Sequence, residues 1–107
     1  MISYDDFSKL ELKIATILSV ERVEGSQKLL KLSITLGEES PRTLVAGIGK
    51  RYSPEELLNT QIVIIANLEP RALMGIESQG MLLATDDDAG PVLLRPITPV
   101  PPGSSIH

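Results

Sequence analysis

Residues 66–84 read ANLEPRALMGIESQGMLLA and connect two apolar runs of the chain. The run before them, Ile62 to Ile65, is typical of a buried strand or a buried turn of helix, and a second run begins at Met81. Turn formers, an Arg and several hydrogen-bonding side chains lie between the runs, with almost no regular periodicity. Because long connections between core strands are uncommon unless they are functional, we expect a functional surface here.

Strand patterns also fill the first half of the chain. The clearest one is LLKLSITL at residues 29–36, where apolar and polar side chains alternate. A strand from Leu12 precedes it, and we expect a bulge or sharp bend near Ala15, where the alternation slips. A short buried strand follows at residues 44–48.

Helix signals and a proline-rich tail complete the pattern. Ser3 and two acids after it predict a short first helix, and Ser53, Pro54 and Glu56 predict a capped second one. Further strands are expected at residues 61–66, 81–85 and 92–94, with an acidic turn at 86–90. The tail, residues 96–107, carries four prolines up to Gly103 and should be extended.

The order of these elements predicts one domain over residues 1–107. It is all-β with small α content: a five-stranded OB-type Greek-key barrel, with a short helix between strands 3 and 4 and extensions at both termini. A bent first strand suits such a barrel, because this strand must pair with strands on both sides of the barrel. A small α+β sandwich is the competing fold.

Composition excludes several classes of function. The chain has no Cys, and its one His is His107, so thiolate sites, zinc sites and His-based catalysis have no basis. We therefore expect neither an enzyme nor a bound cofactor or metal, and Asp86 to Asp88 are more typical of a solvated turn than of a metal site. No apolar run reaches the roughly 20 residues of a membrane helix, and the acidic N-terminus is unlike a signal peptide. We expect a cytoplasmic protein.

The charge of the chain is unevenly distributed. Its net charge is −4, which argues against a strongly basic nucleic-acid binder. Only residues 22–71 carry a positive excess, with seven Lys and Arg against six Asp and Glu. A site for a polyanion must therefore be a local patch in the middle of the chain.

The loop motif NLEPRALMGIESQGMLLA, the upstream KLLKLSITLGEESPRTLVAGIGKRYSPEELLN and the opening DDFSKLELKIATI resemble the tRNA-binding OB domain. That domain occurs as a free-standing dimeric tRNA-binding protein and as the C-terminal dimerisation domain of methionyl-tRNA synthetase. The resemblance covers essentially the whole chain. It implies an OB barrel, a homodimer built from the terminal segments, recognition of tRNA by its folded shape, and catalysis, if any, in another synthetase domain.

By the same resemblance, one group of side chains lies on the RNA-contacting surface: Asn67, Arg71, Ser78 and Met81 from the loop, and Lys28, Lys31 and Arg42 from the neighbouring hairpin face. Two positions depart from the family pattern. Ala72 stands where the family often has Lys, and Gln79 where it often has Glu. The missing Lys removes one phosphate partner, so the resemblance implies weaker binding than is usual in the family.

The residues agree with this kind of binding. With no Trp, one Phe and two Tyr, the chain has too few aromatic side chains for a platform that stacks single-stranded bases. Cations and small polar groups suit phosphate, ribose and helix shape, so we expect weak sequence preference and marked salt dependence.

Each of these residues has a purely structural alternative. Asn67 tolerates a left-handed turn, Met81 continues an apolar run, and Arg71 suits a solvated loop. The rival function is a protein-interaction or dimerisation module, or a chaperone-like peptide binder of the same fold, which the acidic composition favours.

Overall fold

The computed structural model describes all residues from Met1 to His107. Two short helices and nine strands follow one another along the chain: α1 (Tyr4–Ser8), β1 (Leu12–Arg22), β2 (Leu30–Thr35), β3 (Arg42–Ala46), α2 (Pro54–Leu57), β4 (Gln61–Ile65), β5 (Arg71–Leu73), β6 (Ile76–Ser78), β7 (Met81–Leu82), β8 (Ala84–Asp87) and β9 (Gly90–Leu93). Neither helix is long enough to cross a membrane.

The main sheet has five antiparallel strands in the order β3-β2-β1-β4-β7. Strand β1 serves both halves, because Thr16 pairs with Gln61 of β4 and also with Thr35 of β2. The bend expected near Ala15 is displaced: the register with β2 shifts between Ile17 and Ser19. The irregularity therefore lies just after Thr16, where pairing of β1 with β4 ends and pairing with β2 begins.

The open edge of β3 is closed by residues that lie just before β7. The backbone N–H of Gln79 donates to the carbonyl of Thr43 at 2.7 Å, and the side-chain oxygen of Gln79 accepts from the N–H of Thr43 at 2.9 Å. The N–H of Val45 donates to Ser78 Oγ at 3.0 Å. The result is a nearly closed barrel of OB type, as predicted, and the α+β sandwich is wrong.

The barrel interior holds the apolar residues that the alternation of β2 predicts. Leu30, Leu32 and Ile34 are fully buried, and the core continues into β1, β3 and β4. Leu57 of α2 is buried against this core. Ser53 precedes α2 as predicted, and the Glu56 carboxylate accepts from its backbone N–H at 2.8 Å and its hydroxyl at 3.1 Å.

Three predictions for the second half of the chain are wrong. The connection of residues 66–80 is not irregular, because β5 and β6 form an antiparallel hairpin within it. The strand expected at residues 81–85 is divided into β7 and β8, and Asp86 and Asp87 belong to β8 rather than to a turn. Asp87 forms a two-contact ion pair with Arg51, which ties the β8–β9 hairpin to the segment before α2.

The end of the tail lies along the first half of β1, after a bend at residues 97–98 and a turn at residues 102–103. Ile14 donates to the carbonyl of Ser104 at 3.0 Å, and Gly103 donates back to Ile14 at 2.7 Å. Ile106 donates to Leu12 at 2.9 Å. Strand β2 pairs only from Thr16 onward. The tail therefore supplies hydrogen-bond partners on β1 where β2 does not reach.

Candidate nucleic-acid interface

A two-residue turn shapes the hairpin that lies between β4 and β7. Met74 and Gly75 connect β5 to β6, and both have positive φ, 48° and 78°. Two such residues are typical of the type I′ turn that matches the twist of a hairpin. The turn residues are visible in the sequence as Leu-Met-Gly-Ile. However, the three-residue strands on either side are too short to show the apolar–polar alternation of a β-strand.

This hairpin covers the outer face of β3. Val45 stands directly opposite Lys31 in the β2–β3 ladder, so both side chains leave the sheet on its outer face. Val45 is nonetheless buried, with 7% of its surface exposed, because the hairpin residues cover it. At the tip, the Met74 methyl lies 3.4 Å from the position that a Cβ on Gly25 would take. The hairpin thus reaches the turn between β1 and β2.

A small cleft of about 140 Å³ lies where the hairpin meets the barrel. Its lining includes three of the residues predicted from the sequence, Arg71, Ser78 and Met81. Glu69 also lines the cleft, and its negative charge would repel a polyanion bound there. The structure therefore brings these three predicted residues together, beside one acid that the prediction did not include.

Three of the predicted cations make no ion pair. Arg71 and Lys28 are exposed, and Lys31 is half-buried on β2, with no carboxylate within ion-pair distance of any of them. Lys31 lies beside Val45 and opposite Glu21 of β1. Lys28 lies in the β1–β2 connection, and its side chain lies against Gly47 just after β3. These cations therefore lie on the outer face of β2, beside its first residue and on the adjoining hairpin.

Arg42 differs from them, because its charge is neutralised within the chain. Its Nε and Nη2 atoms donate to the two carboxylate oxygens of Glu38, each at 3.0 Å. The guanidinium lowers the pKa of Glu38 below its usual range. Glu38 was not predicted, because it lies in the turn before β3, where the four-residue spacing that pairs charges on a helix gives no signal.

Asn67 and Ser78 have structural partners that the sequence did not show. The Asn67 side chain accepts from the N–H of Glu11 at 2.9 Å and donates to the carbonyl of Lys9 at 2.8 Å. Its φ is not positive, so the left-handed alternative is wrong. Ser78 is 5% exposed, and its hydroxyl accepts from Val45 and donates to Gly80. A direct RNA contact by Ser78 stays a prediction, and the buried hydroxyl does not support it.

Met81 is the first residue of β7, where it pairs with Ile65, and its side chain is exposed. The interpretation of Met81 as a core residue is therefore wrong, since 47% of its surface is open. Leu68, Met74 and Met81 are all exposed apolar residues of this part of the chain. The hairpin surface is therefore apolar and of mixed charge, because Arg71 lies there together with the exposed Glu69 and Glu77.

Two larger clefts, of about 360 and 430 Å³, lie at the other end of β4 and share Thr60, Gln61 and Arg95. Their polar groups are used within the chain: the Gln61 amide bonds both backbone groups of Val100, and the Tyr52 hydroxyl accepts from Leu93. Arg95 is their only cation. Size alone therefore does not make them the better polyanion site. No group of acidic or His side chains is arranged to hold a metal ion.

Comparison with known proteins identifies the family of the chain. Residues 12–105 match the family model described as "Putative tRNA binding domain". The methionine–tRNA ligase of Methanothrix thermoacetophila is 49% identical over 107 residues, which are 100% of this chain and 16% of that protein. That of Caldanaerobacter subterraneus is 52% identical over 105 residues, 98% of this chain and 16% of that protein. The chain thus spans about a sixth of the length of these curated relatives.

Solved structures show the same fold over the whole chain. The MetRS related protein from Pyrococcus horikoshii gives a TM-score of 0.91 at 31% identity and covers 100% of this chain and 98% of its own. The chaperone CsaA from Bacillus anthracis gives 0.91 at 33% identity, with 100% and 99% covered. With the family model spanning nearly all of the barrel and its hairpin, the chain belongs to the putative tRNA-binding domain family.

Proposed function

We propose that this chain is a single domain that binds the folded shape and phosphate backbone of tRNA through the outer face of β2 and the β5–β6 hairpin. The observation that supports this most is the set of unpaired cations on that face, Lys28, Lys31 and Arg71. Cations without fixed partners suit phosphates, which carry no sequence information. The binding is therefore largely independent of sequence.

The positions of the aromatic residues support recognition of shape rather than of single-stranded bases. Tyr4 and Phe7 contact each other on α1, and Tyr52 bonds Leu93 at the far end of the barrel. None of them lies on the hairpin surface. Stacking of splayed bases requires aromatic side chains along the binding face, so folded RNA fits this surface better.

The test is a competition experiment at several salt concentrations. Labelled tRNA is bound to the chain and displaced with unlabelled tRNA, a duplex RNA or an unstructured single strand of equal length. The proposal predicts that tRNA competes best, that different tRNA species compete alike, and that affinity falls steeply with salt. Equal or better competition by the single strand would contradict shape recognition.

The partner of the domain follows from its relatives. Since the chain spans about a sixth of the methionine–tRNA ligases that it resembles, we propose that it assists such a ligase, within one chain or as a separate subunit in the cytoplasm. The domain then retains tRNA while chemistry takes place elsewhere. Addition of the chain to a catalytic ligase body that lacks it should lower the KM for tRNA and leave kcat nearly unchanged.

We also propose that the domain is a homodimer formed through its terminal segments. Helix α1 has no buried residue, and Ile2, Tyr4 and Leu10 are exposed apolar side chains around it. The tail pairs with the start of β1, shortly after α1, since Ile106 donates to the carbonyl of Leu12. Sedimentation equilibrium should give twice the monomer mass, and Tyr4→Asp should give the monomer. A wild-type monomer at micromolar concentration would contradict dimerisation.

A second candidate function is the binding of unfolded polypeptide. The exposed Leu68, Met74 and Met81 beside the hairpin favour it, and so does the similarity to the chaperone CsaA. Apolar side chains bind unfolded chains with little dependence on salt, unlike phosphate contacts. Retention of a reduced, unfolded protein by the chain at high salt, with no retention of tRNA at low salt, would favour this alternative.

A further inference from the structure

The Arg42 side chain lies between the two ends of the segment that carries the hairpin. Its Nη1 atom donates to the carbonyl of Ala66 at 2.6 Å, where β4 ends. The same atom also lies 3.4 Å from the carbonyl of Gln79, just before β7 begins. One guanidinium thus contacts both ends of residues 66–79.

Arg42 is held in this position from its other side. Glu38 accepts from Nε and Nη2 in a planar two-contact arrangement, the strongest geometry available to an Arg–carboxylate pair. Only 26% of the Arg42 side chain is exposed. Most of its hydrogen-bonding capacity is therefore used inside the chain, and little remains for a phosphate.

The two ends have different additional contacts. Ala66 donates to the carbonyl of Glu11, and Gln79 is paired with Thr43. The pairing of Ile65 with Met81 brings the two ends side by side. Arg42 is the side chain that bonds both ends, just beyond this pairing.

We propose that Arg42 is a positioning residue for the tRNA-binding surface: it fixes the two ends of residues 66–79 and so determines how Arg71 is presented. This inference rests on the proposed function and replaces the expectation that Arg42 contacts RNA directly. Glu38 acts with it, because it orients the guanidinium.

Glu38→Gln gives the sharpest test, because two explanations predict opposite signs. If only electrostatics mattered, removal of an acid near a polyanion would tighten tRNA binding. The positioning role predicts weaker binding, by about threefold, because the Arg42 guanidinium loses the charged partner that orients it. Glu39→Gln is the matched control: Glu39 is exposed, makes no ion pair, and should leave affinity unchanged or slightly higher.

Arg42→Lys and Arg42→Ala give the second test. Lys keeps the charge but lacks the planar fork, so both variants should lose tRNA affinity by a similar factor, about tenfold. The slope of log K against log salt should stay at the wild-type value, whereas Lys31→Ala should lower it by about one. Wild-type affinity of Arg42→Lys, together with a reduced slope for Arg42→Ala, would overturn the proposal and make Arg42 a phosphate contact.

Hydrogen exchange without RNA separates this inference from the proposed function. In both Arg42 variants the amides of residues 67–80 should exchange faster, while those of β1, β2 and β4 keep their protection. Unchanged exchange in the hairpin would overturn the positioning role. If wild-type protein binds no tRNA, the proposed function fails, and the exchange data still decide whether Arg42 fixes the hairpin.

Discussion

At the residue scale, the cations of the interface divide into two kinds. Lys28, Lys31 and Arg71 have no ion-pair partner, while Arg42 is neutralised by Glu38. An unpaired surface cation loses little when it binds a phosphate, because it gives up no internal contact. A paired one must first break its bonds within the chain. Arg42 is therefore less available to a phosphate than the other three cations.

Arg71→Ala should weaken tRNA binding by about 1 kcal/mol or more and leave the fold intact, because it removes one charge-assisted contact from an exposed side chain. Arg95→Ala is the matched control: it removes the same exposed charge at the other end of β4. Filter binding at low salt measures both. Equal losses for the two variants would show that only the overall charge matters.

Ala72→Lys should strengthen binding. Ala72 is exposed on β5 and pairs with Glu77 of β6. A Lys here would add a phosphate partner on the hairpin and would offset the charge of Glu77. We expect a severalfold gain in tRNA affinity and a salt slope steeper by about one. Unchanged affinity and slope would place this face of the hairpin away from the RNA.

At the element scale, what the sequence predicted depends on how far each pattern extends. β2 alternates over enough residues to identify its buried face, and Ser53, Pro54 and Glu56 identify α2 from local contacts alone. The β5–β6 hairpin escaped prediction because each of its strands has three residues. The roles of Ser78 and Gln79 depend on Val45 and Thr43, which are more than thirty residues away, so no local pattern reveals them.

Gly103→Ala should detach the tail from the barrel. Gly103 has a φ of +89°, and a Cβ there would collide with the carbonyl oxygen of Leu36. We expect a loss of about 2 kcal/mol or more in the free energy of unfolding, from backbone strain and the clash together. Denaturant unfolding, with limited proteolysis of the tail, measures the effect.

The control for this substitution is Gly75→Ala. Gly75 has a similar φ of +78°, but no atom lies within 4 Å of the position that its Cβ would take. The cost should therefore be the backbone strain alone, about 1 kcal/mol, confined to the hairpin. Equal losses for the two variants would mean that the tail makes no close contact with Leu36.

At the scale of the whole molecule, hydrogen-bonded carboxylates make stability depend on pH, and one of them, Asp87, joins two distant segments. Hydrogen bonds lower the pKa values of Asp6, Glu38, Glu56 and Asp87 below their usual ranges. For Asp87 the largest cause is its hydrogen bond with Arg51, which connects the β8–β9 hairpin to the segment before α2. The native state therefore binds fewer protons than the unfolded chain in the acidic range.

Stability should consequently be constant near neutral pH and fall as the pH drops below about 4.5, where the unfolded carboxyls take up protons first. The sign follows from the lowered native pKa values: their stabilisation is present above the unfolded pKa and is lost as pH falls through the native one. Urea midpoints between pH 7 and pH 3 measure it. Asp87→Asn should reduce the decline, and a midpoint that stays constant down to pH 3 would contradict this account.

The most direct test of the central claim is an NMR titration of the isotope-labelled chain with tRNA, which reports every backbone amide at once. If tRNA binds the outer face of β2 and the β5–β6 hairpin, the largest chemical-shift changes come from residues 71–78 of the hairpin and from Lys28 to Lys31. The amides of Thr60, Gln61 and Arg95 should show none. Shifts centred on those last three residues, or no shifts at concentrations where tRNA binding is measured, would contradict it.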